Sequence, residues 1–500
     1  MPLKALLAFM LAMPLVGLAA AHYSDGLLYI EVLIWSGESV RVASAGGDPL
    51  RISLSELESP LTRDFQTPFN IRAASLDQKP GWKVLERSEP LTDSSDGVLR
   101  ESFTWQDSTL VIKCENLIYS ERTFPDQEAA KRYARAAEMA EREIQVREDF
   151  SATVILSGDN LANSFWETPL HLSTPGLITF GGSKLAFRGE FNLKIVNKEV
   201  VITQILPLDD YVAGVIANEI GNSAPREAMK AQAVTARTHA LSLLLANRHE
   251  KDGYDLCNTT HCQVYKGGYL QNDAVRAAVA ATRNEILTVA GRIADATYHS
   301  ACGGKTDSSQ NIWDGEPLPH LSGVICEAEA ADYDLTREQD ARSWISAAPV
   351  DAGGSSWEAS ALAWSKQLER TELARNVGLQ DIDHLVINRR GYSGRIIDIS
   401  FFGETTVRLT SEYRIRQAFG SARSSFFHLG GGYVQADNGG VVIYPDETIS
   451  IKGRGSGHGV GMCQVGALER ARAGEDYMKI LLHYYPGTEM SRHWMENGAN

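Results

Sequence analysis

The chain has 500 residues, 43% of them hydrophobic and 22% charged, and a formal net charge of -15. That length exceeds what one core needs, so two or three domains are expected in a composition typical of soluble globular proteins. The acidic balance, with no run of Lys or Arg, excludes nucleic acid and an anionic membrane surface as the main partner, because phosphates demand clustered positive charge.

In chain order, Met1 to Lys4 gives a short basic start, Ala5 to Leu18 an apolar stretch broken by Pro14, and Ala19 to Ala21 a small-residue cleavage site. This pattern predicts a secretory signal over residues 1–21, and export of the chain to the periplasm or cell envelope. No later stretch is long and apolar enough for a membrane span. A β-rich region is expected over 22–115. Leu28 to Ile34, Val40 to Val42, Leu50 to Ile52, Phe103 to Trp105 and Leu110 to Ile112 read there as short strands between polar turns. A connecting region over 116–180 carries an Ala/Glu/Arg-rich helix from Asp126 to about Arg147. Strands return at Lys184 to Gly189 and Glu199 to Thr203, followed by helices over 209–220 and 224–247 with Ser223 as cap of the second. Further strands are expected at 286–289, 296–298 and 385–409, a helical region at 333–380, and closing helices at 461–473 and 475–484. The fold class is α+β, a β-rich N-terminal unit followed by a mixed domain with helical insertions over 181–490.

The 209–220 helix carries the first chemically suggestive feature. Val212, Val215 and Ile216 form its apolar face, and Glu219, seven residues after Val212, falls on that face. Gly221 reads as the terminator. An acid that is partly desolvated and close to a helix C-terminus is expected to hold its proton nearer neutrality, as an acid that protonates a glycosidic oxygen must. A salt-bridged surface glutamate fits the same pattern. In the next helix Arg237 sits on a face of small residues, as a structural ion-pair partner or a ligand for substrate oxygens.

Several ordered blocks then resemble the stage II sporulation protein D (SpoIID/LytB) family: Leu208 to Val215, Ala217 to Glu219, Ala228 to Val234, Ala236 to Thr238, Tyr254 to Tyr265, His299 to Thr306, Gly453 to Gln464 and His483 to Thr488. Residues 60–180 show no counterpart. The family includes lytic transglycosylases of peptidoglycan and enhancers of the wall amidase. The resemblance implies glycan strands as substrate, a cell-wall amidase as an alternative partner, and no required cofactor. It puts Glu219 at the catalytic glutamate position and Arg237 beside it, with His299, Lys305, Arg454, His458, Tyr484 and Tyr485 as candidate substrate contacts. One departure stands out: Pro319 to Val324 carries His320 and Ser322 where relatives often have an aromatic and a basic residue.

The loop Gly453 to Gly461 alternates glycine around Arg454 and His458 and lacks the Gly-Lys-Ser/Thr ending of a phosphate loop. It reads either as a ligand-approaching backbone or as a tight structural crossing. Tyr484 and Tyr485 either stack on sugar faces or pack the closing helix. Cys257, His261, Cys262 and Cys302 offer a structural Zn²⁺ site, as some relatives bind zinc at the first of these motifs. Two disulfides or buried thiols are the competing readings.

Overall fold

The computed structural model describes residues 23–24, 27–44, 49–54, 62–65, 67–73, 82–88, 102–106, 109–114, 117–124, 144–148, 153–158, 161–167, 169–197, 199–267, 272–313, 315–347, 356–436 and 439–492. The expected signal segment and most of the helix from Asp126 lie outside them. Residues 144–148, the end expected for that helix, form a strand antiparallel to Trp82–Ser88.

The chain folds into two compact units, one of residues 22–208 with 247–269, the other of residues 209–246 with 270–500. The division falls at residue 208 rather than at 181. The reason is that Ala186–Val196 and Glu199–Pro207 continue the sheet begun by the N-terminal strands.

Among the described residues the first unit is built on a twelve-stranded, mainly antiparallel sheet. Its centre runs Leu27–Gly37, Glu199–Pro207, Ala186–Val196, Leu170–Phe180 and Ser39–Ser44. Leu28, Ile30, Val32 and Ile34 alternate inward along the first of these, which is the period-two signature of a half-buried strand. A second, five-stranded sheet is formed by segments between residues 82 and 148. The short strand Leu256–Cys257 adds in parallel beside Val32 and Leu33. Asp255 locks that addition in place: its carboxylate accepts from Glu31 N at 2.7 Å, while its own N–H donates to Glu31 O at 3.0 Å. A cysteine-bearing loop is thereby fixed to a sheet edge.

The second unit contains the helix Leu208–Glu219 and the longer helix Arg226–Leu245. Gly221, at φ +84°, ends the first by donating its N–H to Ile216 O at 3.3 Å. The second begins after Pro225, which has no side-chain cap, so Ser223 is not its cap. Ala228, Ala231, Ala233 and Ala236 are buried along it, and their small side chains admit the helices Asp273–Ala281, Gln464–Arg472 and Tyr477–Tyr484 at close range. The stretch expected to be helical over 333–380 is interrupted by the strand Ala363–Glu369. That strand pairs with Thr448–Arg454, a case of tertiary pairing overriding local preference. A five-stranded antiparallel sheet runs Thr406–Leu409, Ile396–Phe402, His384–Arg390, Val441–Ile443 and Val434–Gln435. Its inward face is covered by Leu373, Ile415 and Phe419, and each such side chain contributes about 1.5–3 kcal/mol by leaving water. The architecture is α+β. No helix among the described residues is long and apolar enough to cross a membrane.

Candidate functional site

Val212, Val215 and Ile216 are fully buried, and Glu219 stands half-buried on the same face at the helix end. Two side chains from distant segments meet its carboxylate. Gln464 Nε2 donates to Glu219 Oε2 at 3.2 Å and lies 3.4 Å from Gln232 Oε1, with both glutamines buried. The Tyr298 hydroxyl donates to Glu219. Burial, then the Glu219 charge, pushes the Tyr298 phenol well above its ordinary value, so it stays protonated as a donor. Beyond it, His239 contacts the Tyr298 ring edge-on at 6.2 Å and its Nδ1 pairs with Asp295 Oδ1 at 3.1 Å. The result is a partly sheltered carboxyl group held by two neutral donors, able to give or take a proton at one position. Two surface hollows of about 300 and 330 Å³ lie elsewhere in this unit, and Glu219 lines neither.

A minimal sheet creates this arrangement. Tyr298–His299 pairs in parallel with Met462–Cys463, with Tyr298 opposite Met462 and His299 opposite Cys463. Tyr298 therefore enters the site from one segment and Gln464, next after Cys463, from the other. Neither residue carries a recognisable signal in the sequence. Tyr298 lies on a strand too short for any periodicity, and Gln464 closes a glycine-rich motif in which the histidine is the more chemically conspicuous side chain.

The other expected contacts are engaged in the fold. Arg237, 1% exposed, spends four of its five N–H groups internally: Nε and Nη2 donate to Asp209 Oδ1 at 3.0 and 2.8 Å, and Nη1 to Thr282 O and Glu285 O at 2.9 and 3.1 Å. Of its two readings, the geometry matches the structural ion pair. Arg454 is buried over the Trp344 ring and donates to Glu327 Oε2 at 2.9 Å and Trp344 O at 3.2 Å. Lys305 Nζ donates to Tyr333 O at 2.7 Å, and burial pushes its pKa down. His458 accepts the Val460 N–H at Nδ1 and donates from Nε2 to Tyr298 O at 2.8 Å, so both ring nitrogens serve the backbone. Burial, then the neighbouring His299, holds it well below its ordinary pKa and therefore neutral. Tyr484 and Tyr485 are fully buried, their hydroxyls on Cys326 Sγ at 2.9 Å and Thr297 O at 2.8 Å, so they pack the closing helix.

The glycine-rich loop is a tight crossing against residues 297–302. Gly455, Gly457, Gly459 and Gly461 all have positive φ. A Cβ at Gly455 would sit 2.8 Å from Ala301 O and Cys302 O, and one at Gly461 would fall on Thr297 O.

The metal-ligand set differs from the expected one. Cys257, His261 and Cys262 cluster with His249 in the first unit, their ligand atoms all within 4.8 Å of one another. Cys302 belongs instead with His299 and Cys463 in the second unit. His249, 13 residues before Cys262, lay outside every motif singled out. Asp252 Oδ2 holds its Nδ1 at 2.8 Å, leaving Nε2 facing Cys262 Sγ at 3.3 Å, the carboxylate–histidine support common at metal sites. Hydrogen bonding from Cys262, above all, pulls the Cys257 thiol down to about 3, and the same bond pushes Cys262 up. Two thiols and two imidazoles in one cluster suit tetrahedral Zn²⁺. Cys257, Cys262, Cys302, Cys326 and Cys463 are all free thiols.

Comparison with known proteins adds the following. A family model described as stage II sporulation protein matches residues 196–289, and a domain of unknown function matches 307–461. An uncharacterised protein of Brachyspira hyodysenteriae is 32% identical over 59% of this chain and 69% of its own length. The amidase enhancer of Bacillus subtilis is 30% identical over 66% of this chain, which spans only 47% of that protein. Stage II sporulation protein D of Bacillus amyloliquefaciens is 29% identical over 57% of this chain and 74% of its own.

Proposed function

The chain belongs to the stage II sporulation protein D family, and from that premise we propose that it is an exported lytic transglycosylase of peptidoglycan. Glu219 is its single acid/base. The carboxylic acid protonates the oxygen joining N-acetylmuramic acid to N-acetylglucosamine. The carboxylate then takes the proton of the muramic acid's own primary hydroxyl as that hydroxyl attacks the oxocarbenium-like carbon, leaving an anhydro-sugar end. No water and no second carboxylate enter the reaction. The observation that carries this reading is the half-buried Glu219 held between the Tyr298 hydroxyl and the Gln464 amide. Tyr298 and Gln464 orient the carboxyl group through the oxygens to which they donate.

His249, Cys257, His261 and Cys262 would hold a structural Zn²⁺ that ties their loop together; the acid/base chemistry at Glu219 does not require it.

A second reading has its own support. Arg237, Lys305, Arg454, His458, Tyr484 and Tyr485 have partners inside the fold, and one relative is named an amidase enhancer. On that reading the protein binds glycan and stimulates an N-acetylmuramoyl-L-alanine amidase without cutting the strand. The two separate in one assay, incubation of purified glycan strands with wild type and Glu219→Gln followed by mass spectrometry. Anhydro-muramyl ends made by wild type and lost in Glu219→Gln support the lyase. Their absence with wild type, while amidase stimulation persists in both proteins, overturns it in favour of the enhancer.

A further inference from the structure

We propose that His299, Cys302, Cys326 and Cys463 form a second metal site, separate from the His249 cluster, that takes one Zn²⁺ in a tetrahedral shell of three sulfurs and one nitrogen. The site would exist whether or not Glu219 cuts the glycan strand.

The ligand atoms of His299, Cys302 and Cys463 lie within 4.8 Å of one another, and all three residues are buried. Cys326 stands next to Cys302 and Cys463, outside the three mutually close ligand atoms and with its Sγ 2.9 Å from the Tyr484 hydroxyl, and a small turn of its side chain would supply the fourth ligand. The four residues come from three parts of the chain, residues 299–302, 326 and 463, and the fold has specific means of gathering them. The parallel pairing of residues 298–299 with 462–463 puts His299 opposite Cys463. Gly466 in the closing helix leaves the space that Cys326 Sγ and the Tyr484 hydroxyl occupy, since a Cβ there would fall on both.

The histidine is the independent pointer. His299 is 4% exposed, and its Nδ1 lies 3.0 Å from Val460 O. A carbonyl oxygen can only accept, so Nδ1 carries the proton and Nε2 carries the lone pair. That Nε2 is buried, with no hydrogen-bond partner besides the neighbouring Cys302 sulfur. A proton fixed on one ring nitrogen by a carbonyl, with a bare lone pair on the other, is the state of a metal-ligating imidazole. A disulfide between any two of the three cysteines would leave the third thiol and this nitrogen unused.

The surroundings also suit thiolates. Cys463 Sγ accepts from Cys302 N at 3.2 Å and Gly466 N at 3.3 Å, and Cys302 Sγ accepts from Gly304 N at 3.4 Å. The first two of these put backbone N–H groups on one sulfur at the start of a helix, where negative charge is favoured. Three thiolates around a divalent ion leave net negative charge, and the fully buried Arg395 guanidinium, donating to Cys302 O at 3.1 Å, sits beside it. On binding, each thiol gives its proton to solvent and its sulfur lone pair to the metal, with no change of oxidation state.

The test uses the full chain purified without chelator, with Zn²⁺ counted per chain by elemental analysis and Co²⁺ as the spectroscopic probe. Two clusters predict two zinc ions in wild type. Cys257→Ser with Cys262→Ser should leave one, whose Co²⁺ form shows the intense thiolate-to-cobalt band of a sulfur-rich tetrahedral site. Cys302→Ser should abolish that band. Should Cys302→Ser fail to fold, His299→Ala and the partly exposed Cys326→Ser each serve, weakening Zn²⁺ binding at this site by tenfold or more in a chelator competition. A wild-type ratio of one that survives Cys302→Ser overturns the proposal. A disulfide joining any two of Cys302, Cys326 and Cys463 in the isolated protein, seen by peptide mass spectrometry, overturns it as well. A single ion lost with Cys302→Ser supports this site and removes the other one.

Discussion

Replacing Arg237 by Met separates a structural arginine from a substrate-binding one. The substitution keeps most of the buried stem and removes the guanidinium that satisfies Asp209, Thr282 O and Glu285 O. Breaking a buried ion pair costs about 3–5 kcal/mol. Asp209 is a quarter exposed and retains Arg283 at 3.5 Å, which moves its share to the low end of that range. The two backbone carbonyls lose a buried donor and add about 1 kcal/mol each, for a total near 5 kcal/mol. In a unit of this size that lowers the melting temperature by about 10–20 °C, enough to consume much of a typical folding free energy. Glu219→Gln is nearly isosteric and should stay within about 1 kcal/mol of wild type. Differential scanning calorimetry and urea titration of both variants check this. An Arg237→Met protein that melts with wild type, yet has lost all action on glycan strands, refutes the structural assignment and returns Arg237 to the reacting groups.

Two further outcomes follow from packing and protonation. Gly466→Ala puts a methyl onto the Tyr484 hydroxyl and Cys326 Sγ inside a helix, and should cost about 1–3 kcal/mol as overpacking, read as a lower urea midpoint at unchanged slope. His320 is buried, its Nε2 donating to Asp295 O at 3.0 Å, and burial, above all, holds its pKa below the ordinary value. The unfolded chain therefore binds a proton that the folded one refuses. The stability contributed is present above the unfolded pKa, about 6.5, and is lost as pH falls below it. Urea midpoints taken at pH 7.5 and 5.5 should show a smaller drop for His320→Gln than for wild type; equal drops would mean that His320 titrates alike in both states.

The parts of this molecule that were legible in the sequence are those whose physics is local. The alternation along Leu28 to Ile34, the apolar face of Val212, Val215 and Ile216, and the stop at Gly221 each need only neighbours a few residues away. The role of Arg237 could not be settled that way, because its acceptors Thr282 O and Glu285 O come from a turn far along the chain. The same holds for Lys305, Arg454 and His458. Long polar side chains inside a recognisable motif suggest ligand binding, yet here each satisfies a backbone carbonyl or a buried carboxylate that only the tertiary fold supplies. Cys302 and Cys257 are alike as soft ligands in the sequence, whereas the fold sends them to different units. The clue to His249 was present in principle, as an imidazole a short turn ahead of a Cys-His-Cys loop with Asp252 three residues on to orient it.

The register of one two-residue parallel pairing connects the site to the cluster beneath it. His299 and Cys463 face each other across that pairing, Tyr298 directly precedes the first, and Gln464 directly follows the second. A strand this short contributes little by its own hydrogen bonds, so something else must hold its register. A one-residue slip would part His299 from Cys463 and would also withdraw Tyr298 or Gln464 from Glu219. A metal bound by His299 and Cys463 would supply the missing constraint, because it would fix both side chains at once. The two donors on Glu219 then depend on an ion that never touches the reacting sugar, and chelation should disturb glycan processing by loosening the carboxyl group's neighbours. Loss of action that tracks removal of the second zinc and is recovered by Zn²⁺ alone fits that coupling. Full action in a Cys302→Ser protein that has shed the ion would break it.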